Sequence, residues 1–417
     1  MATFEEIYQR LLQADIQELS AQEIDRIQKE REGLLELDCL LHPEKQPVIW
    51  KFGNCECSPG EQQVCADECA FDAIAPGQDG GIEIDPRVCV GCCACVDHCK
   101  DKRLTASKDI MAVLKTLRET KGLVYALVAP AFLGQFEAEV TPAKLRSAFK
   151  KMGFDGMIEV ALFADILTLK EALEFDHNIM KESDYQLTSC CCPMWIAMIR
   201  KIYRELMPHV PGSVSPMVAC GRTIKILHPD AVTVFIGPCI AKKAEAREAD
   251  IAGAVDYVLT FEEVRDMFLA LEIDPQNMEE SYKDHSSRAG RIYARSGGVS
   301  EAVQETVERL NPNREIVMRT QHADGVPACK AMINGILSGE ASANFYEGMG
   351  CVGGCVGGPK AIIDREEGKN HVDTYGDGAT YATPIDNPYV VELLKRLGFE
   401  TVEDLLSQSD IFTRHFQ

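Results

Sequence analysis

Four cysteines near the end of the first quarter of the chain have a spacing that limits how the backbone around them can fold. They are Cys89, Cys92, Cys95 and Cys99, in the pattern C-x2-C-x2-C-x3-C. In proteins with this pattern, three closely spaced thiolates bind one [4Fe-4S] cube and the fourth reaches a neighbouring cube. Zinc is the alternative metal, but zinc sites usually use two C-x2-C pairs separated by a longer gap. The spacing therefore predicts a short, tightly wound segment that binds iron–sulfur clusters.

A second and less regular set of cysteines precedes the first. It has the spacing C-x-C-x7-C-x3-C, keeps the final C-x3-C, and consists of Cys55, Cys57, Cys65 and Cys69. The crossed arrangement of two-cluster ferredoxins then predicts two [4Fe-4S] clusters. One cluster would take Cys55, Cys57, Cys65 and Cys99, and the other would take Cys69, Cys89, Cys92 and Cys95. Cys93 is left over, and we expect it to be a spectator thiol packed near the cluster.

Eighteen cysteines in 417 residues raise the alternative of a disulfide framework. Residues 1–36 are charged and amphipathic and lack the apolar run of a signal peptide. We therefore expect a cytoplasmic protein whose thiols bind metal. No run of eighteen or more apolar residues is present, so no membrane partner is predicted. The net charge of −22 disfavours nucleic acid as a partner, because its phosphates would be repelled.

Composition and periodicity divide the chain into four predicted parts. The first has apolar residues at helical spacing, and Ser20 with Glu23 predicts a capping box at its second helix. The second is rich in Cys, Gly and Asp, and a segment this small needs its clusters for stability. The parts are a helical segment at 1–48, a small α+β ferredoxin-like domain at 49–107, a larger domain at 108–380 and a helical tail at 381–417.

The larger domain alternates apolar runs with helix-like sequence, which predicts an α/β fold of parallel sheets flanked by helices. Cys239 directly follows one of these runs, at the carboxyl end of a predicted strand, where the sites of open α/β sheets gather. Cys192 has a similar place, but the segment before it is less clearly a strand. The apolar runs are 123–129, 156–162, 231–236 and 255–259, and the helix-like stretches include 142–151, 166–175 and 261–271.

A short basic run follows the regular cysteines in this acidic chain. Its residues are Lys100, Lys102, Arg103 and Lys108. The run is either the solvated start of a helix or a docking patch for an acidic electron carrier, since complementary charge speeds encounter.

Three segments of the chain resemble the signature segments of [FeFe] hydrogenases. They are TSCCCPMW at 188–195, GPCIAKKAE at 237–245 and EGMGCVGGCVGG at 347–358. One short motif easily matches by chance, whereas three in the same order are specific. The resemblance covers roughly residues 50–417, including a tail similar to the family's small-subunit region. It implies a catalytic domain of two lobes around a buried H-cluster.

An H-cluster is a [4Fe-4S] cube joined through one cysteine to a di-iron subcluster with carbon monoxide, cyanide and a bridging dithiolate. Carried over by position, the resemblance implies four cube ligands, the last of which would be the bridge: Cys192, Cys239, Cys351 and Cys355. Lys242 matches the family's hydrogen-bond partner of cyanide. The matching positions that line the cofactor pocket are Pro130, Ala131, Pro238 and Met349.

The same resemblance implies a route for protons. Cys191 takes the place of the thiol that passes the proton on, and Glu171 and Glu174 match the carboxylates of the relay. Their spacing of three also puts these glutamates on one helical face, where a solvated surface is the usual alternative. The family's usual relay serine falls on Pro211, which has no donor, so the common route cannot run unchanged.

Other positions depart from the family pattern and indicate a divergent subgroup with its own proton route or reaction bias. Cys190 makes a triple cysteine, Gly237 replaces a methionine, and Met217 replaces a glutamine of the pocket. Three further cysteines have no matched role and are expected to be core thiols: Cys39, Cys220 and Cys329.

We therefore expect reversible hydrogen oxidation and proton reduction, 2H⁺ + 2e⁻ ⇌ H2. Electrons would pass through two [4Fe-4S] clusters to a ferredoxin or similar small carrier, and maturation proteins would supply the di-iron site. One alternative is an H-cluster protein that senses hydrogen and turns over slowly. Another is a cluster-assembly or scaffold protein without the di-iron site, which the joint presence of Cys355, Lys242 and Cys191 disfavours.

Overall fold

A computed structural model describes residues 3–30, 33–55, 57–77, 81–188, 191–407 and 410–416. Ser189 and Cys190 of the first signature segment lie outside these ranges. Within them, no helix is both long enough and apolar enough to cross a membrane.

Strands and helices alternate through most of the chain. The strands are β1 Ile49–Lys51, β2 Ile74–Pro76, β3 Ile82–Ile84, β4 Leu104–Ala106, β5 Val124–Val128, β6 Gly156–Glu159, β7 Gln186–Leu187, β8 Val232–Gly237, β9 Tyr257–Thr260, β10 Thr320–Asp324 and β11 Phe345–Met349. The α-helices are α1 Phe4–Ile16, α2 Ser20–Glu30, α3 Leu34–Leu41, α4 Pro59–Asp67, α5 Ala94–Asp97, α6 Ile110–Glu119, α7 Pro142–Met152, α8 Ala161–Asn178, α9 Pro193–Lys201, α10 Pro216–Leu227, α11 Ala241–Ala246, α12 Phe261–Ala270, α13 Arg288–Arg291, α14 Gly298–Leu310, α15 Val326–Ser338, α16 Arg365–Asp377, α17 Pro388–Arg396 and α18 Asp404–Ser407.

The N-terminal helices α1 to α3 pack as a layer onto α6 and α12 of the larger domain. Thr3 and Glu6 form a capping box that starts α1, and its apolar face buries Ile7 and Tyr8. The Tyr8 hydroxyl donates a hydrogen bond of 2.6 Å to Asp266, in the middle of α12. The first part of the chain therefore shares its core with the larger domain.

The predicted capping box at the second helix is wrong. The Ser20 hydroxyl donates to the Asp15 carboxylate at 2.9 Å, and Arg10 donates to the Glu23 carboxylate at 2.7 Å. The backbone N–H of Glu23 donates to the Leu19 carbonyl instead of a serine oxygen. The side chains of Ser20 and Glu23 therefore bind residues of α1 instead of capping the start of α2.

The cysteine-rich part is built from two antiparallel strand pairs, β1 with β4 and β2 with β3, and two short helices. Its small core consists of a few apolar side chains and of the cysteines themselves. Ile240 of the larger domain is buried in the same core. A side chain at Gly91 would come within 3.3 Å of Ile240, so the two parts of the chain pack closely here.

The larger domain has a parallel sheet of order β6-β5-β8-β9 with helices on both faces. Side chains alternate between the two layers, as a strand buried on both faces requires. Ala126 and Val128 face the layer of α6, α7 and α12, whereas Leu127 faces α8 and α10. Fully burying a valine or leucine side chain such as Val128 or Leu127 contributes about 1.5–3 kcal/mol to folding. The predicted α/β fold of parallel sheets flanked by helices is confirmed.

A second parallel sheet, of order β10-β11-β7, lies among α9, α14 and α15. Its edge strand β7 has two residues, which explains why the sequence before Cys192 has a weak strand pattern. Cys239 lies two residues after the end of β8, and Cys192 lies five residues after the end of β7 in the other sheet. The two sheets therefore bring their carboxyl ends to a common region.

Candidate active site

The four scattered cysteines of the signature segments converge where the two sheets end. Cys192 precedes α9, Cys239 lies between β8 and α11, and Cys351 follows β11, with Cys355 four residues further on. The backbone N–H of Gly350 donates to the Cys192 Sγ at 3.2 Å. Burial, followed by the charges of Cys239, Cys192 and Cys355, raises the pKa of the Cys351 thiol well above its usual range. The structure thus brings together the four residues that the resemblance selects.

These thiols surround an internal recess. All four keep part of their surface accessible. Enough protein nevertheless surrounds them that burial raises the pKa of Cys239 to about 11 and of Cys355 to about 12. We refer to the space among these four side chains as the recess.

The turn around the last two cysteines requires glycine. Gly354 has φ +87° and ψ −152°, a conformation that side chains avoid. A Cβ there would lie 2.7 Å from the Ser296 backbone nitrogen and 2.8 Å from the Met349 sulfur. Met349, one of the predicted pocket residues, therefore packs directly on the turn that carries Cys355.

Lys242 lies in the first turn of α11 with its ammonium buried beside the recess. Its Nζ donates to Glu245 at 2.6 Å. Burial lowers its pKa, but Glu245, Cys239 and Cys355 together raise it above the usual value, so the side chain stays charged. The neighbouring Lys243 points elsewhere, because its Nζ contacts Glu263 at 3.2 Å and anchors α11 to α12.

The remaining predicted pocket positions lie at the end of β5 and in the loop after β8. Pro130 and Ala131 form a short helical turn after β5, and Pro238 lies against Gly358, where an added Cβ would be 2.9 Å away. Gly237 stands where the family has methionine. A Cβ at Gly237 would lie 2.9 Å from the Phe235 ring and 3.1 Å from Ala129, so those groups occupy the space. Met217 is buried in the core between α8 and α10.

Two buried carboxylates lie near Cys191. Burial first, and then Cys192, Glu347, Cys355 and Glu171, raise the pKa of the Cys191 thiol well above its usual range. Glu171 is completely buried in α8. The sequence reasoning missed Glu347, which lies in β11 opposite His322 of β10. Its place two residues before the Met-Gly-Cys turn was the available signal.

The Glu347 carboxylate binds the start of α14. It accepts hydrogen bonds from the Gly297 N–H at 2.9 Å, and from the Ser300 N–H and hydroxyl at 2.7 Å each. This residue therefore connects β11, which leads to Cys351, to the start of α14.

Glu174 lies one helical turn beyond Lys170, and the two side chains form a buried ion pair. The Lys170 Nζ also donates to the Ser213 hydroxyl at 2.8 Å. The Ser213 N–H donates to the Pro211 carbonyl at 3.0 Å, so a tight turn at the proline brings this serine towards α8. The ungapped count that placed a lost serine at Pro211 thus overlooked a buried serine two residues later.

The two cysteine sets of residues 49–107 gather in the crossed grouping that their spacing predicts. Small cavities mark both sets, of about 60 Å³ and about 20 Å³. The first is lined by Cys55, Cys57, Cys65 and Cys99, and the second by Cys69, Cys89, Cys92, Cys93 and Cys95. Cys69 and Cys92 pack in the same cluster as Cys192, Cys239 and Cys351, so the second set lies next to the recess.

Within the described ranges, no group of three or more His, Cys, Asp or Glu side chains is arranged to hold a single metal ion. The remaining cysteines Cys39, Cys220 and Cys329 are buried.

The predicted basic run is not one continuous patch. Lys100 pairs with Glu61 at 3.0 Å, and the Lys108 ammonium lies 4.3 Å from the Tyr8 ring centre. A larger cationic surface lines a cleft of about 1030 Å³ beside the second cysteine set. The cleft reaches Cys89, Pro193 and Ala241. Six cationic residues and three glutamates line the cleft. The cationic residues are Lys45, Arg87, Arg200, Lys201, Arg204 and Arg247.

Comparison with known proteins relates the larger domain to a known family. The family described as Iron only hydrogenase large subunit, C-terminal domain, matches residues 122–359, more than half of the chain. Iron hydrogenase 1 of Clostridium pasteurianum is 26% identical over 275 residues, covering 56% of this chain and 48% of that protein. The chain thus spans about half the length of this relative.

Two other comparisons cover more of the chain. Cytosolic iron-sulfur assembly component 3 of Rattus norvegicus is 24% identical over 380 residues, which is 73% of this chain and 78% of that protein. A solved structure of an [FeFe]-hydrogenase from Chlamydomonas reinhardtii has a TM-score of 0.61 at 21% identity, covering 74% of this chain and 98% of that one. The larger domain has the fold of that structure.

Proposed function

Because the chain belongs to the family of iron-only hydrogenase large subunits, we propose that it interconverts molecular hydrogen, protons and electrons at an H-cluster. The observation that carries this proposal is the convergence of four distant cysteines beside Cys191 and Lys242. When bound, the H-cluster would supply the iron that binds and splits hydrogen.

The residues around the recess fit this cofactor. Four mutually close thiols suit a [4Fe-4S] cube, and they would be Cys192, Cys239, Cys351 and Cys355. Cys355 would be the bridging ligand. The Lys242 ammonium is buried and charged, and a buried cation suits an anionic ligand such as cyanide. The walls would come from Pro130, Ala131, Pro238 and Met349.

The chain's own side chains would move the proton. Cys191 would hold it at Sγ, and the neighbouring Glu171 would exchange it with Glu174 further along α8. General acid–base groups work best when they lie within reach of each other in a site that excludes water. Burial of Cys191 and Glu171 supports this assignment.

The two cysteine sets of the ferredoxin-like part would each hold a [4Fe-4S] cluster and supply one-electron transfer. An acidic carrier such as ferredoxin would dock in the cationic cleft, because the cleft reaches Cys89 and opposes the net charge of the chain. Maturation proteins would provide the di-iron site. The cytoplasmic location remains a prediction.

Cluster assembly is a second candidate function. The assembly component of Rattus norvegicus covers 73% of this chain, more than the 56% covered by the clostridial hydrogenase. A protein of that kind would need the cysteine sets without a di-iron site. Cys191 and Lys242 would then have no ligand to serve, which favours the hydrogenase.

Infrared spectroscopy decides between these functions. The full chain would be produced together with the maturation proteins, and the spectrum recorded in the region of metal-bound CO and CN⁻. Bands there, together with hydrogen evolution from reduced methyl viologen, are expected for the hydrogenase. A protein with iron–sulfur absorbance but no such bands would be an assembly factor, and one with bands but negligible turnover would be a sensor.

A further inference from the structure

A lysine that no signature segment contains lies at the outer end of the carboxylate pair. Lys170 is 3% exposed, and its ammonium contacts both the Glu174 carboxylate and the Ser213 hydroxyl. Burying an ammonium is costly unless charge and hydrogen bonds compensate for the lost water. The fold therefore holds a cation where the proposed proton route approaches the surface.

The position of Glu174 suits exchange with solvent. Glu171 is 0% exposed, whereas Glu174, on the next turn of the same helix face, is 9% exposed. Lys170 binds one carboxylate oxygen of Glu174. The other, Oε2, is buried and has no hydrogen-bond partner among the described residues. A proton or a water molecule has a free acceptor there.

Lys170 lowers the pKa of Glu174, whereas two other effects raise it. Burial, the largest cause, raises the pKa of Glu174, and the charge of Glu171 raises it further. Lys170 lowers it through its charge and its hydrogen bond, and the resulting pKa is about 7. The helices packed against α8, namely α10, α13, α14, α17 and α18, add no further charged group that acts on this carboxyl within the described ranges.

The direction of hydrogen bonds limits what Lys170 can do. An ammonium only donates, so both the Glu174 oxygen and the Ser213 oxygen are acceptors in these contacts. Lys170 therefore does not need to give up its own proton for Glu174 Oε2 to take one from Glu171 and release it to water.

We propose that Lys170 is a positioning residue that sets the pH range in which Glu174 passes protons between the buried site and solvent. This inference rests on the proposed hydrogenase function. The proton in transit moves between carboxylate oxygens and water. During hydrogen oxidation it leaves through Glu174 Oε2, and during hydrogen evolution it enters there.

The test compares Lys170→Met, which removes the charge, with Lys170→Arg, which keeps it. Titration by infrared difference spectroscopy would follow the C=O stretch of protonated Glu174 in protein without the di-iron site, with Glu174→Gln to assign the band. Without Lys170, only burial and the charge of Glu171 act on the pKa of Glu174, and both raise it. The titration midpoint should move up by about 1–3 pH units in Lys170→Met and by much less in Lys170→Arg. An unchanged midpoint in Lys170→Met would overturn the proposal.

Activity of the loaded enzyme gives a second and independent readout. Hydrogen oxidation by Lys170→Met should fall about tenfold or more at neutral pH, because Glu174 stays protonated and cannot accept. The alkaline limit of hydrogen evolution should move to higher pH. If the carboxyl titration shifts but both pH profiles stay the same, Lys170 is only structural and the proposal is wrong.

These outcomes are separable from failure of the proposed function. A wild-type protein without CO and CN⁻ bands would refute the hydrogenase, while the carboxyl titration would still measure the effect of Lys170 on Glu174. Ser213→Ala serves as the matched control, because it removes a contact of Lys170 but no charge. Its midpoint should stay near the wild-type value. If Lys170→Met does not fold, Lys170→Gln provides the uncharged variant.

Discussion

The chain gathers cysteines in two regions that obtain their geometry in different ways. In residues 49–107, nine cysteines lie within 45 residues on short helices and loops, and local spacing decides which of them meet. In the larger domain, Cys192 and Cys355 are 163 residues apart and meet because two parallel sheets end at one place. The first arrangement is local, whereas the second depends on the whole fold.

The surroundings of the two regions differ accordingly. The set of Cys55, Cys57, Cys65 and Cys99, which we call the outer relay set, borders a small cavity near the exposed Lys100. The charge of Asp101 also acts on its Cys57. Around the recess, buried groups surround the thiols: Lys242, Glu347 and the glycine turn at Gly354. We infer that the first region suits electron exchange near the surface and the second suits chemistry that excludes water.

The largest expected effect separates the two regions directly. Cys239→Ala removes a proposed cube ligand and should abolish hydrogen turnover with every electron donor. Cys57→Ala removes a proposed ligand of the outer relay cluster. It should lose most turnover with ferredoxin but keep most turnover with methyl viologen, a small donor that reaches inner sites. Hydrogen production with both donors, together with iron content, measures the difference.

The comparison would fail if Cys57→Ala and Cys239→Ala lost activity equally with methyl viologen while circular dichroism showed both variants folded. Cys220→Ala is the control, because this thiol is buried in the core between α8 and α10 and is not a proposed cluster ligand.

Cys191→Ala tests the proton role of the thiol beside the recess. Loss of one general acid–base group typically costs about 10²–10⁴-fold in rate, so turnover should fall by that factor. The CO and CN⁻ bands should remain, because Cys191 is not a proposed cluster ligand. Cys329→Ala, another buried thiol near β11, should turn over normally. Unchanged turnover in Cys191→Ala would assign the proton step to another group.

Much of the fold could be predicted from sequence because its signals are local. The apolar runs predicted at 123–129, 231–236 and 255–259 contain most of β5, β8 and β9, and the helix-like stretch 142–151 lies within α7. Periodicity identifies such elements because their side chains alternate between two buried layers. The capping box at Ser20 was wrong because an ion pair from α1 took Glu23, which no local pattern shows.

The site was predictable only where the signature segments reach. The four cysteines and Lys242 lie inside those segments and do come together. Lys170 and Ser213 lie outside the segments, and tertiary packing alone makes them neighbours of the site. Glu347 opens the third segment, but its contact with the start of α14 is likewise a tertiary one. Ser213 shows the difficulty. An ungapped count along the sequence places the relay serine at Pro211, but the turn there brings the serine two residues later towards α8.

The crowding at the recess can be tested through two glycines with a similar positive φ. Gly354→Ala places a Cβ 2.7 Å from a backbone nitrogen and should destabilise the protein by about 1–3 kcal/mol. Gly253 has φ +82° and nothing within 4 Å of an added Cβ. Gly253→Ala should cost only about 1 kcal/mol, from the torsion itself. Chemical denaturation of both variants measures the difference, and equal losses would show that the turn has room to relax.

The smallest expected effect concerns where the electron carrier docks. Arg204 is exposed in the cationic cleft beside the second cysteine set, and Lys102 is exposed in the basic run near the first. Arg204→Glu should raise the KM for ferredoxin several-fold and weaken its dependence on ionic strength, because steering by complementary charge is lost. Lys102→Glu should change it less. Turnover with methyl viologen should stay constant in both. The reverse order of effects would place the carrier at the outer cluster, so that electrons would cross both relay sets before they reach the recess.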